Sequence, residues 1–312
     1  MASAAPKSFT QRSSISDTLN VVGDIWMLRL LGALFTGTNS WSGLAERLNV
    51  SPSTLSTRLK QLVAAGCAER CDGQGYILRQ RGAELLPIIL VADEWRLRWD
   101  NADETALSPW LHRCGHPLRC RSACSRCDED ILLEHTQFEP RNDQVRPKPD
   151  KPRHFRSSAT TLQPASDRQI VSRVLLALGD RRASLMLAPL FRSRNRFDEI
   201  EAWTGLHPAI ISERVRKLQL LELAHMRLYQ EHPDRYVYAL SAAGRDLFPS
   251  TLQMLHWGDK WFYGNKNEPV LLTHRRCGER LRGIVKCVRC ETEVLAGDLQ
   301  VREPDAQPFL IA

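Results

Sequence analysis

Ser51-Pro52-Ser53-Thr54-Leu55-Ser56-Thr57-Arg58-Leu59-Lys60-Gln61-Leu62-Val63-Ala64-Ala65-Gly66 decides how this chain folds. Ser51 is a natural helix cap, and Pro52 suits a first turn, where its missing N–H is no loss. Leu55, Leu59, Leu62 and Val63 fall on one face, and Gly66 offers the left-handed stop. The pattern predicts a helix over Ser53 to Ala65. Its outward side chains are Ser53, Thr54, Thr57, Arg58 and Gln61. All of them can donate hydrogen bonds, and none is acidic.

Upstream, Leu19, Val22, Ile25, Leu28, Leu30, Leu31 and Leu34 recur at three- and four-residue steps, a helical period that Gly23 breaks into two helices. A polar tail to about Ser16 precedes them. Thr36-Gly37-Thr38-Asn39 is a turn, and Ser40 caps a short helix through Leu44, Ala45 and Leu48. Downstream, Cys67 to Arg79 reads as two short strands around Asp72-Gly73-Gln74-Gly75. A long amphipathic helix is expected from Gly82 to Asp100, burying Leu85, Leu86, Ile88, Ile89, Ala92, Trp95 and Trp99.

The order then repeats. Gly23-Asp24 returns as Gly179-Asp180, Ser51-Pro52 as His207-Pro208, and Arg58-Leu59 as Arg214-Val215. After a six-residue insertion Tyr76, Gly82, Pro87, Trp95 and Trp99 match Tyr238, Gly244, Pro249, Trp257 and Trp261. Cys114-Gly115, Cys124 and Cys127 then meet Cys277-Gly278, Cys287 and Cys290. A repeat of this length is a duplicated domain rather than a solenoid unit. The second long helix spans Gly244 to Tyr263, and Ser212 to Leu220 fills the slot of the helix quoted above. The paired tryptophans predict packing between long helices.

Two short helices, a tight turn and a hairpin make a winged helix-turn-helix. A helix fits the major groove, where outward side chains reach base edges. In the first copy Ser53, Thr54, Thr57, Arg58 and Gln61 are placed to do so. Lys60, Arg70 and Arg79 lie where phosphates would be met, with Gln74 at the wing tip. In the second copy Ile211, Val215 and Leu218 are inward, and Ala209, Ile210, Glu213, Arg214 and Lys217 outward. Arg216, Arg227 and Arg235 add positive charge there. The first copy is expected to read bases. The second supplies mainly backbone affinity or reads a different half-site.

The chain has 312 residues, a formal net charge of +7 and 43% hydrophobic residues. That is length for about two domains, with a modest bias toward a polyanionic partner. No apolar run is long enough to span a bilayer, and the first residues lack an apolar signal core, so a cytoplasmic protein is expected. Seven of the nine cysteines sit in two short clusters, a usage that favours metal over disulfides. His274, Cys277, Cys287 and Cys290 have the spacing of a structural zinc site. His112, Cys114, Cys124 and Cys127 form the corresponding set, with His116 or Cys120 as alternatives for the fourth place. A catalytic zinc would need an open position and a nearby base, and neither is signalled. No phosphate loop and no repeated Ser/His/Asp pattern occurs, so no enzyme is expected.

Gly23-Asp24-Ile25-Trp26, the Ser51 to Leu62 stretch, Gly66, Tyr76-Ile77-Leu78, Arg81-Gly82, Leu85-Leu86-Pro87 and Glu94-Trp95 together resemble the HxlR-type winged-helix transcriptional regulators. The resemblance covers Ile15 to about Trp99 and, more weakly, Ile170 to Trp261. It implies a bacterial regulator of double-stranded DNA that dimerises through terminal helices, as repressor or activator. With two copies on one chain, pairing would be internal or with a second chain. Redox-sensing members carry a Cys just before the first helix, where this chain has Ser13 and Gln169. The family's Trp is kept at Trp26 and replaced by Arg182.

The expected fold is mainly α with small β hairpins: two winged helix-turn-helix domains, each followed by a small zinc-ribbon-like element. The domains are placed at 12–106 and 167–264, the ribbons at 107–137 and 265–303, and a linker at 138–166. The alternative has one winged helix reading DNA while the other docks a protein or senses an effector. A thiol redox switch and a zinc enzyme stand behind it.

Overall fold

The computed structural model describes residues 13–100, 107–141, 172–232 and 234–302. The first copy runs α1 (Ser14–Val22), α2 (Ile25–Phe35), α3 (Trp41–Leu48), α4 (Pro52–Ala64), β1 (Ala68–Cys71), β2 (Gly75–Leu78), α5 (Gln80–Ala83) and α6 (Leu86–Trp99). Three further strands follow: β3 (Trp110–His112), β4 (Cys120–Cys124) and β5 (Thr136–Pro140). The second copy has α7 (Arg173–Leu178), α8 (Arg181–Phe191), α9 (Phe197–Thr204), α10 (Pro208–Leu220), β6 (Ala224–Gln230), β7 (Arg235–Leu240), α11 (Ala242–Arg245) and α12 (Phe248–Tyr263). Its corresponding strands are β8 (Val270–His274), β9 (Gly283–Cys287) and β10 (Leu299–Val301).

The helix boundaries follow local chemistry. Asp24 caps α2 by accepting from the Trp26 and Met27 amides, at 3.1 and 3.2 Å. Asp180 caps α8 in the same way. Ser51 accepts from the Thr54 amide at 3.3 Å, so α4 starts at Pro52. Gly82 and Gly244 recur for a steric reason. A Cβ on either would lie 2.0 Å from a carbonyl oxygen, of Cys67 or Leu223.

Three expectations need correction. The long helices start later than Gly82 and Gly244, because α5 and α11 are separate single turns before Pro87 and Pro249 open α6 and α12. The polar tail does not reach Ser16, since α1 begins at Ser14. Phe138 to Pro140 are not linker. They complete β5, where Phe138 lies against the Phe248 ring. Arg141 continues the strand's course, its amide donating to the Pro269 carbonyl at 3.0 Å, and residues 142–166 lie outside the described residues.

The two copies pair with each other about an internal pseudo-dyad. Asp24 and Asp180 meet there in an antiparallel bridge. The tryptophans make the symmetry explicit. Trp95 Nε1 donates to the Ala243 carbonyl at 2.9 Å, and Trp257 Nε1 donates to the matching Arg81 carbonyl at 2.8 Å. Trp99 donates to Asp246 and Trp261 to the matching Glu84. Arg98 pairs with Asp246, and Lys260 with Glu84. Leu19, Leu31 and Leu59 share one apolar cluster with Leu175, Met186, Leu252 and Trp257. Both copies therefore fold around a common interior.

Where α1 crosses α12, Ser14 Oγ donates to Asp259, Thr18 Oγ1 donates to the Met254 carbonyl at 2.8 Å, and Tyr263 pairs with Asp17. Burial pushes the Asp259 carboxyl up to about 7. The Ser14 hydroxyl pulls it back, Glu268 raises it, and Arg282 and Arg280 lower it. A carboxyl raised above the usual ~3.9 supports folding while it is protonated, below about pH 4, and withdraws that support as pH rises through about 7. Thermal melts between pH 5 and 8 should therefore fall with pH in the native protein and run flatter in Asp259→Asn. Equal pH slopes in the two proteins would exclude a buried, titrating Asp259.

Candidate nucleic-acid interface and metal centres

α3 and α4, joined at Asn49 in the left-handed region (φ 48°), form the first helix-turn-helix. α9 and α10, joined at Gly205 (φ 63°), form the second. Each is followed by its wing, β1–β2 or β6–β7, both antiparallel. Leu55, Leu59 and Leu62 anchor α4, and Ile211, Val215 and Leu218 anchor α10. Ser53, Thr57 and Lys60 are exposed on α4, with Thr54 and Gln61 half-buried. The hydroxyls cluster at its start. Ser51 Oγ lies 3.1 Å from Ser53 Oγ and 2.9 Å from Thr54 Oγ1, and Thr57 donates to the Ser53 carbonyl at 2.7 Å. Arg70, Gln74 and Arg79 are exposed on the first wing, Arg79 being paired with Glu69.

Arg58 does not lie on the open face. Its guanidinium grips Asp24 through Nε and Nη2, both at 2.8 Å, and donates from Nη1 to Gln61 at 3.2 Å. Arg214 behaves likewise. It is 5% exposed, 3.0 Å from Asp180, and 2.6 Å from Glu213. Lys217 also reaches Asp180, at 2.9 Å. These three cations were expected to face outward. The fold turns them in because each capping aspartate is a half-buried anion that needs a counter-charge. Burial raises the Asp180 carboxyl, but Lys217 and Arg214 outweigh it and hold the group below the usual carboxylate range. The repetition of Asp24/Arg58 as Asp180/Arg214 was the available signal for this pairing. Arg216, Arg227 and Arg235 are exposed.

The eight Cys/His positions also come together, in different company from that expected. Each strand that follows the winged helices pairs with the other copy: β4 with β9, β5 with β8, and β10 with β3. One quartet is therefore His112, Cys114, Cys287 and Cys290, and the other is Cys124, Cys127, His274 and Cys277. Within each, the candidate ligand atoms all lie within 4.8 Å of one another. The copy-local sets are not formed. Neither His116 nor Cys120 takes a fourth place: His116 is exposed and bonded to the Cys114 carbonyl, and Cys120 is buried against the Leu90 carbonyl.

The spacings fit a four-coordinate ion. A tetrahedron with Zn–S and Zn–N distances near 2.3 and 2.05 Å has S···N edges of roughly 3.6 Å and S···S edges of roughly 3.8 Å. In the first quartet His112 Nδ1 lies 3.3 Å from Cys114 Sγ and 3.6 Å from Cys290 Sγ, and Cys114 Sγ lies 4.0 Å from Cys287 Sγ. In the second, His274 Nδ1 lies 3.3 Å from Cys127 Sγ and 3.6 Å from Cys277 Sγ. Burial lowers the proton affinity of both imidazoles, which favours the neutral form a metal requires.

Among the described residues no helix is long and apolar enough to cross a membrane. The chain is 32% identical over 126 residues to an HTH-type transcriptional regulator of Mycobacterium tuberculosis, covering 40% of this chain and 80% of that protein. It is 32% identical over 96 residues to the HTH-type transcriptional regulator YdeP of Bacillus subtilis, covering 29% of this chain and 72% of that protein. A solved structure of a candidate transcription factor from Pseudomonas aeruginosa matches with a TM-score of 0.34 and 23% identity, over 43% of this chain and 91% of that one. The family model for the HxlR-like helix-turn-helix matches twice, at residues 21–104 and 177–266, and the chain belongs to that family.

Proposed function

We propose that this chain is a cytoplasmic transcriptional regulator that binds double-stranded DNA with two winged helices held on one internal dyad, and that it performs no catalysis. One observation carries this. α4 and α10 are clamped from behind by equivalent Asp–Arg pairs, which leaves their opposite faces open. The start of each helix would enter the major groove. Lys60, Arg70 and Gln74 in one head, and Arg216, Arg227 and Arg235 in the other, are exposed where phosphates and groove edges would be met. Internal pairing supplies the two-headed geometry that single-domain relatives would need two chains to build. Occupying a promoter in this way would block or recruit the transcription machinery.

The two Cys3His quartets would hold structural zinc. Thiolate and imidazole donors in a closed tetrahedron suit that ion and leave no open position for substrate. The ions would brace the ribbons rather than take part in chemistry.

Operator binding followed across a salt series tests the interface. Lys60→Ala and Arg70→Ala should each weaken binding to all sequences and reduce the log–log salt slope by about 1. Arg58→Ala should act mainly by destabilising the fold. Salt-independent binding, or none to any duplex, would refute the DNA interface.

A further inference from the structure

The two heads share a frame but differ in the chemistry they project. Asp24–Arg58 and Asp180–Arg214 hold α4 and α10 alike, so residues at matching positions occupy matching places. At those places Ser53 is answered by Ala209, Thr54 by Ile210, Thr57 by Glu213 and Gln61 by Lys217. The start of α4 carries a hydroxyl cluster, of Ser51, Ser53, Thr54 and Thr57. The start of α10 carries two apolar side chains, Ala209 and Ile210, followed by a carboxylate. Glu213 is 64% exposed and steadied by Arg214 at 2.6 Å. With Arg214 and Lys217 both turned onto Asp180, the two acids and two cations of this group balance. Glu213 can therefore approach DNA without carrying uncompensated negative charge. The second wing also differs. Its strands run seven and six residues, against four and four in the first.

Hydroxyls accept or donate to several bases, whereas an apolar side chain favours the thymine methyl and a carboxylate accepts from the cytosine amine. Resting on the DNA-binding reading above, we infer that the chain recognises an inverted repeat with unlike half-sites, bound in a single orientation. One half-site presents thymine methyls to Ala209 and Ile210 and a cytosine amine to Glu213. The other meets the hydroxyl cluster of α4 and has no such requirement. Because both heads are in one chain, the operator need not be a palindrome, as it would for two identical subunits.

Selection of bound duplexes from a random pool, using the full chain, tests this alongside Ala209→Ser/Ile210→Thr/Glu213→Thr, which gives α10 the side chains of α4 at those positions. The native chain should enrich two different half-sites in inverted order, and the variant should enrich a motif approaching a palindrome of the first. Replacing the thymines of the second half-site with uracil removes only their methyl groups. That should weaken the native chain about tenfold and the variant less, because a threonine offers the thymine methyl a smaller apolar contact than an isoleucine. A perfect palindrome from the native chain, a single enriched half-site, an unchanged motif in the variant, or indifference to uracil would each overturn the inference while leaving DNA binding intact. Enrichment of no duplex at all would instead overturn both this inference and the DNA-binding reading.

Discussion

Replacing Cys114 and Cys287 together by serine should leave one metal ion per chain, whereas replacing Cys114 and Cys124 together should leave none. Cys114 and Cys287 belong to the same quartet, so removing both disables a single tetrahedron. Cys114 and Cys124 are near neighbours in sequence but serve different quartets, so their joint loss breaks both. The native protein should carry two ions. Metal content after gel filtration, measured by plasma mass spectrometry against protein concentration, reads these numbers directly. The opposite ranking, with one ion kept by Cys114→Ser/Cys124→Ser and none by Cys114→Ser/Cys287→Ser, would restore copy-local ribbons and refute the crossed pairing. The expected effect on stability is large. A structural zinc ion contributes about 10–16 kcal/mol of apparent binding free energy in small zinc-finger peptides. Here each ion would draw ligands from both copies, so metal removal should loosen the pairing of β3 with β10, β4 with β9 and β5 with β8. A chelated sample should accordingly lose these strands before the helical core, whose apolar cluster is built mainly from helices of both copies.

Asp180→Ala should cost about 3–5 kcal/mol of unfolding free energy, the usual consequence of removing one partner from a buried ion pair. The physical cause is that two cations, Arg214 and Lys217, lose the carboxylate they share. Arg214 is 5% exposed; it would keep Glu213, which is exposed and screened by water, but lose Asp180, the carboxylate it shares with Lys217. The cap on α8 is lost as well, worth about 1 kcal/mol in typical cases. Asp180→Ala/Arg214→Met should recover much of the loss, because an apolar side chain of similar reach needs no counter-charge. Urea denaturation of the three proteins measures this. Thr57→Ala, on the open face, should change stability by less than about 0.5 kcal/mol. Were Arg214 a DNA contact held in reserve, Asp180→Ala would raise operator affinity and leave stability unchanged, which is the result that would sink this account. The pH dependence has a definite sign. Because the folded carboxyl lies below its usual range, its support is complete above about pH 4 and is lost on further acidification.

Arg58 and Cys114 show where reading the chain by itself stops. The α4 stretch was legible because caps, helical period and a terminal glycine act over a few residues. Arg58 sits one step from the buried leucine stripe. Helical geometry alone leaves its long side chain free to reach outward or to fold back. The choice depends on Asp24, thirty-four residues earlier, which the fold brings to 2.8 Å. The repetition of both residues in the second copy was visible, but their contact was not. Cys114 is similar. Its two-residue spacing from His112 announces a metal-binding turn, and the partner of that turn is a matter of strand exchange.

Two consecutive winged helices, the capped recognition helices and all eight sulfur and imidazole positions follow from residue order, since each is encoded by side chains a turn or two apart. The pairing of the halves, the inward rotation of Arg58, Arg214 and Lys217, and the exchange of the Cys/His-bearing strands follow only from packing. They depend on burying tryptophans, aspartates and strand edges against segments more than a hundred residues away or on the far side of a core. Local patterns specify which groups are offered. Desolvation and strand pairing across the pseudo-dyad decide which of them meet.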